Sequence, residues 1–185
     1  MIILLVIVGV ILVALARGGK LMNLIYLRFR FPGFILVGFL IDLIVFQNFW
    51  QENDQTRSVS PFAYTIALSL ILIGMALNYR IPGMKIILLG FFLNFLTIAV
   101  NGGYMPVVPS AREISGQSSL APGEIWHNLV AIGPNTRLAF LGDQFPIPKG
   151  LPFPNVFSPG DILIALGGIY LLFRAMTVVP KPTTE

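Results

Sequence analysis

Asp42 is the only ionisable residue deep within an apolar run, midway along Gly33–Trp50. An unpaired carboxylate at the centre of a bilayer costs about 2.5–3.5 kcal/mol on insertion scales. It must therefore be protonated or face a polar partner, and Ser69 and Asn94 in neighbouring apolar runs are the candidates. A buried carboxylate of this kind can relay protons or contact a ligand. Its structural use is a helix–helix hydrogen bond that fixes packing. One acid without a chain of acidic or basic residues makes a poor relay, which favours packing. Asn78 and Asn94 read the same way, and Gln47 and Asn48 are placed near the outer interface.

The remaining chemistry is sparse. The chain has no cysteine, which excludes disulfides, thiolate metal sites and thioether-attached haem. His127 is the single histidine, so no site can draw two imidazoles from this chain. One imidazole suffices for haem iron or for the magnesium of a chlorin. His127, however, falls outside the apolar runs and reads as a partly exposed loop residue. There is no Gly-x-Ser-x-Gly, no His-Glu-x-x-His, no phosphate loop and no acidic metal cluster. Gly18-Gly19 and Gly102-Gly103 fit helix caps and tight turns. No cofactor and no catalytic activity are expected on these grounds.

Five apolar runs carry these residues: Met1–Ala16, Gly33–Trp50, Phe62–Tyr79, Ile86–Val100 and Ile162–Val179. Hydrophobic residues make up 56% of the chain and charged residues 11%, against about 25% charged in a soluble domain. Such a chain cannot cover five apolar runs with a polar shell. The expected fold is all-α: one membrane domain over residues 1–185, a bundle of five transmembrane helices. The first and fourth runs are short for a hydrocarbon core of about 30 Å, which snorkelling Lys and Arg or local thinning can accommodate.

Loop charges set the threading. Arg17, Lys20, Arg28 and Arg30 follow the first run, Arg80 and Lys85 follow the third, and Arg174 and Lys181 close the chain, with only Glu185 opposing. The other side mixes Arg57, Arg112, Arg137 and Lys149 with six acids. The positive-inside rule then puts the N-terminus outside and the C-terminus in the cytoplasm. The basic charge forms no dense patch, so nucleic acid is not an expected partner. Ala14-Leu15-Ala16 imitates a signal-peptidase site, but no basic segment precedes the run, so an uncleaved first helix is expected. Lys20–Pro32 mixes aliphatic, aromatic and basic residues. It reads either as an interfacial helix with Arg28 and Arg30 near anionic lipid or as an extension of helix one or two.

Asn101–Gly160 is the one long loop. It is rich in proline and contains Trp126, Phe140, Phe145, Phe153 and Phe157. Disordered linkers are poor in aromatics, so a folded extracytoplasmic cap with a shielded Trp126 is expected. Phe145–Pro154 alternates proline with apolar residues and favours extended backbone, and Glu124–Leu129 reads as a short helical turn. At the end of the loop, Ser158, Pro159 and Asp161 fit the N-cap, N1 and N3 positions of a capping box.

Four stretches stand out together: Arg17–Leu21; Asn94 with Asn101-Gly102-Gly103-Tyr104-Met105-Pro106-Val107; Thr136–Leu138 with Leu141–Asp143; and Pro154-Asn155-Val156-Phe157-Ser158-Pro159-Gly160-Asp161. On these the chain resembles a family of small bacterial multi-pass membrane proteins of unknown function, marked by NGGxMP and PNVFSxGD signatures. The resemblance implies no activity, substrate or catalytic residue, and it locates the family's identity in the outer loop. Within that loop Arg137 and Asp143 are near enough to pair, and Asn101 is placed to cap the fourth helix. Alternatively, Asn101, Arg137 and Asp143 line a shallow pocket. The expected function is that of a non-catalytic accessory or scaffolding subunit, in a bacterial cytoplasmic membrane with other membrane subunits as partners. A small-molecule or lipid binder using Asp42, Asn94 and the cap is the alternative.

Overall fold

A computed structural model describes residues 2–45 and 54–178. The protein is mostly helical. The long elements are α1 (Ile2–Ala16), α2 (Gly33–Val45), α3 (Asp54–Leu77), α4 (Met84–Val100) and α6 (Pro159–Thr177). A short helix, α5 (Pro109–Ile114), lies in the cap. Gln47, Asn48 and the end of the second apolar run lie outside the described residues, as do Lys181 and Glu185. Two helices, Ser58–Leu77 within α3 and Pro159–Thr177, are long and apolar enough to cross a membrane by length and composition. Val6–Ala16, Gly33–Val45 and Met84–Val100 are apolar but shorter.

The long helices form an open row and not a closed bundle. Its order is α2–α3–α4–α6–α1, with α1 and α2 each packed extensively on one long helix. Two seams are closest, α2 on α3 and α4 on α6. Glycines set both distances. A Cβ on Gly38 would meet the Ala67 carbonyl oxygen at 2.6 Å. A Cβ on Gly160 would overlap the Asn94 amide and meet the Gly90 carbonyl oxygen at 2.6 Å. Close backbone approach of this kind is how helices pack where no hydrophobic effect drives them together.

α3 begins earlier than the apolar pattern suggests. The polar stretch before Pro61 is helical, and Pro61 sits inside the helix. Its carbonyl accepts a hydrogen bond from Thr65 Oγ1 at 2.8 Å, and its ring packs where Gly103 of the cap leaves no room for a Cβ. α1 ends on Gly18, at φ +82, with the Gly19 amide donating to the Ala14 carbonyl at 2.8 Å. That break stops Lys20–Pro32 from extending α1. The segment forms a single 3-10 helix, Leu21–Tyr26, packed on the end of α6. The Lys20 amide and Asn23 Nδ2 both donate to the Met176 carbonyl, at 3.0 and 2.8 Å.

Among the described residues the three basic segments therefore converge on one end of the row. At the other end lies the cap. Strand β1 (Met105–Val107) pairs in parallel with β3 (Leu129–Ala131), and β2 (Ile125–Trp126) pairs antiparallel with β3. β4 (Phe145–Pro146) pairs antiparallel with β5 (Val156–Phe157). Val107, Ala111, Leu120, Ala131 and Val156 form a small core. Glu124–Leu129 is thus a hairpin and not a helical turn: His127, at φ +52, turns the chain between Trp126 and Leu129. Positive φ in a two-residue turn suits the twist of a hairpin.

Candidate functional site

The polar residues gather where the cap meets the helices. Ser158 opens α6 as its N-cap, Oγ accepting from the Asp161 amide at 3.0 Å while the Ser158 amide donates to Asp161 Oδ2 at 3.0 Å. This is the capping box the sequence indicates. α4 adds to it. Asn94 Nδ2 donates to Asp161 Oδ1 at 2.8 Å, and the Ser158 hydroxyl donates to Asn94 Oδ1 at 2.9 Å. A side chain from α4 thereby locks the start of α6, and the absence of a Cβ on Gly160 makes room for it.

Asn94 is consequently not the partner of Asp42. Ser69 donates its hydroxyl to the Thr65 carbonyl at 2.7 Å, and among the described residues no hydrogen bond joins it to Asp42. Asp42 is half-buried on α2 and lies within electrostatic range of Tyr64 on α3. Tyr64 is buried, its hydroxyl bonded to the Asn128 side chain from the cap, and it also feels Asp143 and Asp161. Carboxylates from α2, the cap and α6 thus lie within electrostatic range of one buried phenol. Among the described residues no group of three or more acids and histidines is placed to hold a metal ion.

Asp143 does not pair with Arg137. Its backbone extends the cap sheet, the amide donating to the Pro106 carbonyl at 2.8 Å. Burial and the neighbouring Asp161 carboxylate push its carboxyl up to about 8, against the opposing pull of Arg112. Arg112, on α5, is 2% exposed. Its Nε donates to the Ser118 carbonyl at 3.0 Å, its guanidinium carbon lies 4.9 Å from the centre of the Trp126 ring, and its Nη1 has no hydrogen-bond partner among the described residues. Burial lowers its affinity for its proton, and Asp143 counteracts that. Local sequence gives no sign of this electrostatic influence, because Asp143 is brought back to the start of the cap by a parallel bridge to Val107.

Asn101 and Arg137 do come together, through the backbone of Arg137. Asn101 Oδ1 accepts from the Arg137 amide at 2.9 Å, and Nδ2 donates to the Arg137 and Thr97 carbonyls, each at 2.8 Å. Asn101 thus caps α4 and fixes the cap loop, while the Arg137 side chain is exposed. Trp126 is 50% exposed and not shielded. It sits on a two-residue edge strand, where Arg112 covers its face and His127 meets it edge-on at 4.2 Å. Asn78 repeats the Asn101 device at the opposite end: its Oδ1 accepts from the Arg30 amide at 2.7 Å, and its Nδ2 donates to the Arg30 carbonyl at 2.9 Å.

A family model of unknown function matches residues 26–173, a range that includes Asn94, Asn101 and Pro154–Asp161. The chain belongs to the DUF5317 family. No curated protein and no solved structure matches it. The family description assigns no function, so any functional reading rests on the arrangement itself. It offers a satisfied hydrogen-bond knot, a buried phenol and a carboxyl that holds its proton near neutrality.

Proposed function

We propose that this protein is a non-catalytic multi-pass membrane protein, an accessory or scaffolding subunit of a larger assembly in a bacterial cytoplasmic membrane. In this reading all five long helices cross the bilayer. The N-terminus and cap face outward, and the basic end faces the cytoplasm. The carrying observation is the open row. Apolar side chains stand exposed along it, among them Leu12, Leu36, Leu40, Leu43, Ile73 and Leu166. A soluble protein rarely exposes contiguous apolar patches on this scale, and an open row leaves both broad faces for lipid or for neighbouring helices. The polar groups of the junction hydrogen-bond to one another, which suits a rigid cap better than a reacting centre.

A second reading has one observation in its favour. An apolar cleft of about 450 Å³ runs between α1, α4 and α6, from Phe157 and Asp161 down to Leu172. It fits a hydrocarbon chain and would make the protein a lipid binder. The test is extraction of the full chain in a mild detergent, with photocross-linkers at Leu40 and Leu43. A particle of fixed stoichiometry, cross-linked to a second membrane polypeptide, supports the subunit reading. A lone chain that cross-links only to lipid rejects it in favour of the binder.

A further inference from the structure

The basic end carries a built groove that the proposed function does not use. Arg28, Arg30 and Arg80 border a depression of about 360 Å³ floored by Asn78 and Pro82. A second groove of about 300 Å³, beside Arg174, adjoins it through Tyr26, Leu27 and Pro82. Among the described residues no aspartate or glutamate lies at this end of the row.

The groove is preorganised. Asn78 is 3% exposed, and it grips both backbone polar groups of Arg30 while anchoring itself to the Gly74 carbonyl at 2.7 Å. Arg80 Nε donates to the Tyr79 hydroxyl at 3.0 Å, and its guanidinium sits 5.6 Å from the centre of that ring. Among the described residues no acceptor meets the Nη groups of Arg80, which leaves them for another ligand. Planar guanidinium forks match the oxygens of a phosphate, two at a time. Beside them Leu21, Met22 and Ile25 are exposed on the 3-10 helix. Cationic forks next to exposed aliphatic side chains describe the receptor of an amphiphile, not of a soluble anion.

We propose that this groove binds the phosphate of an acidic phospholipid headgroup, with Arg28, Arg30 and Arg80 as its ligands and the 3-10 helix lying among the adjoining acyl chains. The site rests on the membrane threading of the proposed function, since it needs this end at a bilayer surface. Binding would fasten the linker between α1 and α2, the two ends of the row, to the membrane surface.

The test uses the full chain in neutral detergent, equilibrated with equal amounts of phosphatidylglycerol and phosphatidylcholine. Retained lipid is quantified by mass spectrometry. The wild type should retain phosphatidylglycerol over phosphatidylcholine by roughly tenfold or more, and removing each guanidinium should cost roughly fivefold. Arg30→Gln with Arg80→Gln should erase the preference. Arg80→Lys, which keeps the charge and spares the fold, should weaken it partly, and Lys149→Gln on the cap should leave it unchanged. Equal retention of both lipids by the wild type overturns the site, whatever the variants do. Displacement of the lipid by excess inorganic phosphate also overturns it, making a soluble anion the ligand. A chain released from membranes by alkaline washing overturns both the threading and the site, whereas one that stays in the membrane without lipid preference overturns the site alone.

Discussion

Asp143 shows how the cap turns position into chemistry. Its ordinary value is 3.8, and in the folded cap it is pushed up to about 8. The folded chain therefore holds this proton more tightly than the unfolded chain. The resulting stabilisation is complete below about pH 4 and is lost as pH rises through about 8. The cap should thus become easier to digest and to melt across that window, by on the order of a few kcal/mol at most. Asp143→Asn should flatten the profile, which a protease-resistance series in detergent at several pH values would reveal. An unchanged slope in the variant would remove Asp143 as its source. Asn94 carries a different prediction. Asn94→Leu strands both Asp161 Oδ1 and the Ser158 hydroxyl and should cost about 1–3 kcal/mol, read as a lower midpoint of thermal unfolding in detergent. Local chemistry of this sort was partly legible. Ser158, Pro159 and Asp161 announce a capping box because the motif is contiguous. Arg112 and Trp126 gave no warning, because their contact joins α5 to a hairpin whose turn residue, His127, is not a usual turn former.

At the scale of elements, helix ends followed the sequence where punctuation was strong and drifted where it was weak. Gly18 stops α1, and Asn101 with Gly102 and Gly103 stops α4. α3 runs past its apolar stretch even though Pro61 lies two turns inside it, where proline removes an intrahelical hydrogen bond. Composition could announce a folded cap, but not its strands, which are two or three residues long and are fixed by pairing across the loop. The α4–α6 seam supplies the sharpest test here. Gly160→Ala puts a methyl group against the Asn94 amide and the Gly90 carbonyl. The helices must part, at a cost of about 1–3 kcal/mol. Thermal unfolding of this variant should show a clear loss, while Gly168→Ala on the same helix, where a Cβ meets nothing within 4 Å, should not.

Across the whole molecule, the separation of charge is the feature that sequence and structure share. Arg17, Lys20, Arg28 and Arg30 meet Arg80, Lys85 and Arg174 at one end, joined through Met176 and Asn78, and the aromatic cap, which mixes acids with bases, occupies the other. What the sequence could not convey is the row. Five apolar runs suggest a closed bundle, yet the order of packing depends on which glycines face which neighbours. One measurement tests directly whether the helices thread a bilayer with cap and basic end on opposite sides. The native chain has no cysteine, so single cysteines report cleanly. Ser118→Cys is on the exposed surface of the cap, and Lys85→Cys is exposed at the basic end. In intact cells an impermeant thiol reagent should label Ser118→Cys at once and Lys85→Cys only after permeabilisation. Equal labelling of both without permeabilisation would contradict a membrane-spanning row, and the reverse pattern would contradict its orientation.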